Sequence, residues 1–240
     1  DSDTSHPEVR EKSHKELVIE EDLLCEQILV SEITRHDPNA IIYSEEMNTL
    51  DKLRSDTSAI KYILDPLDGT HNYYFGLPYW GIAAAVLNHE NVSIAGVIFL
   101  PMMDLLLISE GDGKPTVIRN KNSWKPVSTN TKAIQKSLVC YDNQFYKMGE
   151  RATRIYELLT KQCFTTRITG SAVGDSALIA CGKINARVWN KTCSYDIAAG
   201  VPIVEGAGGY ACNFSGNKIN VLDEKIIMCS DYQIQQQHKI

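Results

Sequence analysis

Nowhere in the sequence is there a Cys-x-x-Cys pair, a His-Glu-x-x-His run or a block of Lys and Arg. No apolar stretch approaches the roughly 20 residues of a membrane-spanning helix. Each absence removes a class of function. Without clustered Cys or His there is no zinc signature. Without a basic run, and with a formal net charge of −6, the chain lacks the positive footprint of a non-specific nucleic-acid binder. An anionic small substrate stays open, because bound cations invert a local field. The start, "DSDTSHPEVREKSHKE", has no apolar signal-peptide core, and it opens without Met, so the natural N-terminus is expected upstream. The seven cysteines are dispersed singletons in largely apolar surroundings, expected as buried thiols of a reducing compartment. A cytoplasmic protein that touches no membrane is the resulting expectation.

What is present is an ordinary globular composition, 43% hydrophobic and 22% charged over 240 residues. That is enough chain for one large domain or two joined lobes. "ELVIEEDLLCEQILVSEITR", residues 16–35, carries helical spacing and ends at "HDPNA". Strands are expected at "AIIYSEE", "AIKYILD", "GIAAAVL", "SIAGVIFL" and within "MDLLLISEGDGKP". Residues 111–131 read as hairpins, loop or a junction. After them strand and helix alternate: "SLVCYD", "ERATRIYELLTKQ", "TTRI", "SAVGDSALIACG", "INARVW", "YDIAAGVPIVEGAG", "GYACNF", "KIIMCS" and a terminal helix "YQIQQQHK". Such alternation predicts a layered α/β protein. We divide it into an N-terminal α/β lobe, 1–130, and a C-terminal α/β lobe, 131–240.

The acids fall where these strands stop. Glu45 and Glu46 follow "IIYS", Asp65 follows "YIL", Asp68 stands three positions on, and Asp196 opens a small-residue helix. Strand ends in an α/β layer open onto a shared crevice, where ligands bind. Carboxylates crowded there repel unless a cation neutralises them, and hard oxygen donors suit Mg²⁺. Gly69 and Thr70, directly behind Asp68, offer backbone N–H groups to an anion such as phosphate. Taken singly, "DPLDGT" is a Pro/Asp/Gly turn, "SEE" a solvated pair and "YD" an ordinary helix-start acid. Together they describe a two-metal phosphomonoesterase site.

Glu45-Glu46, "DPLDGTHN" from Asp65 to Asn72 and "YDIAAGVPIVEGAGG" from Tyr195 to Gly209 resemble the inositol monophosphatase family of Mg²⁺-dependent, lithium-sensitive phosphatases. The likeness runs from about Glu16 to the terminal helix. It implies an α/β/α/β sandwich, usually a homodimer, with two or three Mg²⁺ per site. The resemblance implies that Glu45, Asp65 and the Leu67 carbonyl hold the first metal, and Asp65, Asp68 and Asp196 the second. It implies that Thr70 helps Glu45 place the attacking water, and that Gly69 and Thr70 amides take phosphate oxygens. Asp22 corresponds to a helix acid that supports the Thr, and Gly170, Ser171 and Ala172 to the stretch lining the substrate pocket.

Three positions depart from the pattern. Ser44 stands where Gly is usual before the acidic pair, and Tyr195 where Trp is usual beside the metal Asp. Trp189 occupies the position of a Glu that contacts sugar hydroxyls in inositol-specific members. An indole has one N–H donor and no acceptor, so it cannot repeat that contact. The implied activity is hydrolysis of inositol monophosphate or a similar small polyol or sugar phosphate. Histidinol phosphate, fructose-1,6-bisphosphate and adenosine bisphosphate are the alternative substrates. A non-catalytic regulatory or RNA-polymerase-associated protein keeping the fold is the alternative of another class.

Overall fold

A computed structural model describes residues 9–13, 16–47, 49–111, 113–120, 123–142 and 145–231. The terminal helix expected at 232–239 lies outside the described residues. The chain opens with an antiparallel hairpin, β1 (Val9–Ser13) and β2 (Glu16–Ile19), followed by α1 (Glu20–His36). The expected helix at residue 16 therefore begins four residues late. β-branched Val18 and Ile19 favour the extended state, and the Ile19 amide is fixed by a bond to Asp22 Oδ2 at 2.7 Å.

Seven strands form the first sheet: β3 (Ile42–Ser44), β4 (Ile60–Asp68), β5 (Gly81–Asn88), β6 (Ser93–Leu100), β7 (Leu105–Ser109), β8 (Val117–Asn120) and β9 (Ser123–Pro126). They lie in sequence order, β3 parallel to β4 and every later pair antiparallel. Short α2 (Leu50–Leu53) and α3 (Thr70–Tyr74) interrupt the run. The second sheet holds β10 (Leu138–Tyr141), β11 (Thr165–Arg167), β12 (Ala186–Trp189), β13 (Tyr210–Asn213) and β14 (Ile226–Cys229), ordered β11-β10-β12-β14-β13.

Between the sheets pack α5 (Ala172–Ala180), α6 (Ser194–Ala198) and α7 (Gly200–Gly206). Val173, Ala177, Ala198, Ala199 and Ile203 join Ile63, Ala83, Ala85, Ile98 and Leu107 in one core. Small side chains let helix and strand approach closely: a Cβ at Gly96 of β6 would sit 2.5 Å from the Ala199 carbonyl oxygen. On the second sheet alternate residues face opposite ways. Cys140, Trp189, Ala211 and Met228 turn to the central helices, whereas Val139, Tyr141, Val188 and Ile227 turn outward. That outer face is covered by α4 (Phe145–Gln162) through Ala152, Ile155 and Leu159. First sheet, central helices, second sheet and α4 together make the expected α/β/α/β stack.

Candidate active site

Asp65 and Asp68 both lie in β4, three residues apart. In a regular strand an odd separation points two side chains to opposite faces. Here the β4–β5 register pairs Asp65 with Ala83 and then Asp68 with Gly81, so β4 spends three residues where β5 spends two. Pro66, which has no N–H for the ladder, sits inside this bulge. The extra residue turns the chain, and both carboxylates face the same cavity of about 440 Å³. Asp196 comes to them from α6, across the sheet–helix interface. One ligand oxygen from each of Asp65, Asp68 and Asp196 lies within 4.8 Å of the others.

Asp68 is held firmly. Ser171 Oγ donates to its Oδ2, the Val173 amide to the same oxygen at 2.9 Å, and the Ala172 amide to Oδ1 at 3.1 Å. Asp196, the third residue of α6, accepts at Oδ2 from the Cys193 amide at 2.9 Å and from Thr192 Oγ1 at 3.0 Å. Asp65 differs from both. It is 1% exposed, and neither of its oxygens has a hydrogen-bond partner among the described residues. Burial, reinforced by Glu45, Asp68 and Asp196, drives its pKa well above the ordinary carboxylate value. Burial and the Asp196 charge push Asp68 up to about 6, against the lowering effect of its hydrogen bonds and of Arg187. Burial also raises Asp196, with Arg187 again opposing.

Most of the remaining expected residues border the same space, whereas Asp22 and Ser171 do not line it. Glu45, Leu67, Gly69, Thr70, Gly170, Ala172 and Trp189 all line the cavity. Glu45 lies outside the tight trio, yet its charge reaches Asp65 and Tyr195. Thr70 Oγ1 donates to the Leu67 carbonyl at 3.2 Å. Gly69 has φ 90°, and a Cβ there would meet the Tyr79 carbonyl at 3.2 Å, so the turn requires glycine. Asp22, 2% exposed, is the third residue of α1. Ser171 caps α5, accepting from the Gly174 amide at 2.9 Å. Trp189 is only 1% exposed and its ring is packed in the core between sheet and helices. Ser44 continues β3 with an ordinary extended backbone, so the position makes no demand for glycine.

Other expectations need correction. The aromatic run after the "DPLDGT" turn is no core cluster, since Tyr73, Tyr74, Tyr79 and Trp80 are only half-buried and Phe75 is 64% exposed. Tyr73 and Trp80 meet edge to face at 4.9 Å instead, beside α3. All seven cysteines are free, but Cys193 is exposed and borders the cavity, while Cys25 and Cys181 are half-buried.

Sequence patterns did not single out Arg187 or Asp142, two buried ions beside this site. Arg187 pairs with Asp175, which is wholly buried, and lies 3.8 Å from Asp142. Tyr79 Oη at 2.6 Å and Thr169 Oγ1 at 2.9 Å complete the bonds to Asp175. A charged residue inside "ARVW" broke an apolar strand pattern, which was the only signal available.

Comparisons with known proteins show the family and the fold. A model described as "Inositol monophosphatase family" matches residues 2–239. The chain is 30% identical over 223 residues to the Nus factor SuhB of Xylella fastidiosa, covering 90% of this chain and 76% of that one. It is 29% identical over 222 residues to a fructose-1,6-bisphosphatase/inositol-1-monophosphatase of Thermotoga maritima, covering 89% and 77%. Among solved structures, a Thermotoga maritima IMPase superposes with a TM-score of 0.79 at 25% identity, over 93% of this chain and 82% of its own.

Proposed function

Because the chain belongs to the inositol monophosphatase family, we propose that it is a Mg²⁺-dependent phosphomonoesterase acting on inositol monophosphate or a similar small polyol or sugar phosphate. The observation that carries this reading is Asp65, a buried carboxylate with both oxygens unpartnered, grouped with Asp68 and Asp196. Burying an unpaired carboxylate is costly, and a divalent cation removes that cost. Oxygen donors alone fit Mg²⁺. Glu45, Asp65 and the Leu67 carbonyl would hold one ion, and Asp65, Asp68 and Asp196 another. When bound, Mg²⁺ supplies Lewis-acid charge to the phosphoryl oxygens and makes a water more acidic.

The chain's own groups do the rest. Glu45 and Thr70 orient the attacking water, and Asp22 supports Thr70 from α1. The Gly69 and Thr70 amides, at the start of α3, take phosphate oxygens, since first-turn amides have no partner within their own helix. Gly170 to Ala172 and Trp189 bound the space for the leaving alcohol. The Trp189 position offers no acceptor for sugar hydroxyls, so fructose-1,6-bisphosphate, histidinol phosphate and adenosine bisphosphate belong in the same assay. Free thiols throughout fit a cytoplasmic setting, and we extend the reading to a homodimer of two-lobed chains, 1–130 and 131–240.

The test is phosphate release from inositol-1-phosphate with and without Mg²⁺. Turnover that requires Mg²⁺ is expected; no turnover on any of the four substrates with Mg²⁺ bound refutes the enzymatic reading. A regulatory role is the second reading, favoured by the Xylella fastidiosa relative, itself a Nus factor. An Asp65→Asn chain that loses hydrolysis but keeps its cellular role would select it.

A further inference from the structure

Arg187 on β12 is buried, 5% exposed, and borders the same cavity as the acidic trio, yet nothing in the proposed chemistry uses it. Its Nη1 donates to the Asp175 carboxylate and, at 3.0 Å, to the Ser171 carbonyl. Its Nη2 reaches toward Asp142 Oδ1 at 3.8 Å, and the guanidinium lies over the Trp189 ring at 4.7 Å.

These contacts lead to two of the aspartates. Ser171 is the residue whose hydroxyl grips Asp68, and it begins the turn whose next two amides grip the same carboxylate. Asp175, one turn further along α5, fixes that helix against Tyr79 and Thr169. On the other side Asp142 Oδ2 accepts the Asn190 amide at 2.8 Å. It thereby pins the turn that runs directly into Thr192 and Cys193, the two residues bonded to Asp196.

We propose that Arg187 is a positioning residue for the acidic site, holding Asp68 and Asp196 indirectly through two separate arms. The proposal rests on the reading of that cluster as a divalent-cation site. Groups that orient a metal's ligands commonly matter tenfold or more to its affinity. A guanidinium suits the task because its planar fork reaches several acceptors at fixed angles, which an ammonium cannot do. Stability alone is a poor account of the cluster, since buried ion networks are commonly replaceable by apolar residues without loss. Here the Arg187 Nε also stays unpartnered among the described residues, a further cost that a purely structural design would avoid.

The test is calorimetric titration of the full chain with MgCl₂, comparing wild type, Arg187→Met and Arg187→Lys, with folding checked by thermal unfolding. Arg187→Met should bind Mg²⁺ about tenfold more weakly or worse. Arg187→Lys should recover only part of the loss. Hydrolysis of inositol-1-phosphate by either variant should return toward the wild-type rate at saturating Mg²⁺, which a folding defect would not allow. A folded Arg187→Met chain with wild-type Mg²⁺ affinity overturns the proposal. Where Arg187→Met does not fold, Arg187→Lys decides: unchanged affinity overturns it and weakened affinity supports it. Absence of Mg²⁺ binding to wild type overturns the cation site and the proposal together.

Discussion

Three aspartates sit in one cavity, yet only two are held by the protein itself. Asp68 and Asp196 carry backbone and hydroxyl donors, whereas Asp65 has none among the described residues. Replacing Asp65 by Asn should therefore act in opposite directions on two measurements. Mg²⁺-dependent hydrolysis should fall about 100-fold or more, because a shared ligand is lost. In chelator the variant should melt at a higher temperature than wild type, because the crowded negative charge is gone. The same crowding sets a pH dependence. Asp68 titrates near 6 in the fold and near 4 when unfolded, so the folded state binds more protons between those values. Stability of the metal-free protein should accordingly decrease as pH rises from about 4 to about 6, by on the order of 2 kcal/mol. Urea unfolding in chelator at the two ends of that window measures it, and an increase with pH would contradict the assignment.

Elements, more than single residues, bring those groups together. The bulge at Pro66 converts two carboxylates on opposite faces into two on one face, and the start of α5 supplies three donors to Asp68. Ser171 serves both as helix cap and as one of those donors. Ser171→Ala should lower stability by about 1 kcal/mol through the lost cap and should also weaken Mg²⁺ binding. Thermal unfolding and calorimetry separate the two effects. Gly69→Ala puts a Cβ into a left-handed turn against the Tyr79 carbonyl and Trp80. A stability loss of about 1–2 kcal/mol is expected, together with reduced turnover, because the same turn aims the Gly69 and Thr70 amides. Most strands and helices were legible, because alternation in "GIAAAVLN" and amphipathicity in "ERATRIYELLTKQ" report burial directly. The β1–β2 hairpin was not, since residues 16–35 carry helical spacing across the point where the chain actually turns. Nor was α3 fixed in advance, since "THNYY" offers few strong helix formers and depends on its packing against β2.

At the scale of the whole molecule, the cation and the fold should stabilise each other. A ligand that binds only the native state at about 100 times its Kd adds roughly 2.7 kcal/mol. Millimolar Mg²⁺ should thus raise the melting temperature of wild type, and should do so far less in Asp65→Asn. Equal shifts in both would place the bound ion elsewhere. The central helices are the route of that coupling, because α5 touches both sheets, α6 packs between α5 and strands β4 and β5, and each delivers part of the site. The sequence alone determined the chemistry available: which carboxylates end which strands, and a glycine that permits a left-handed turn. Those are local properties of backbone and side chain, readable without knowing what lies across the cavity. Only the tertiary structure decided that Asp196 meets Asp65 from a different sheet–helix layer, and that Arg187 joins the two arms that hold Asp68 and Asp196. Those contacts join residues distant in the chain, and the cost of burying a charge depends on the neighbours that folding brings to it.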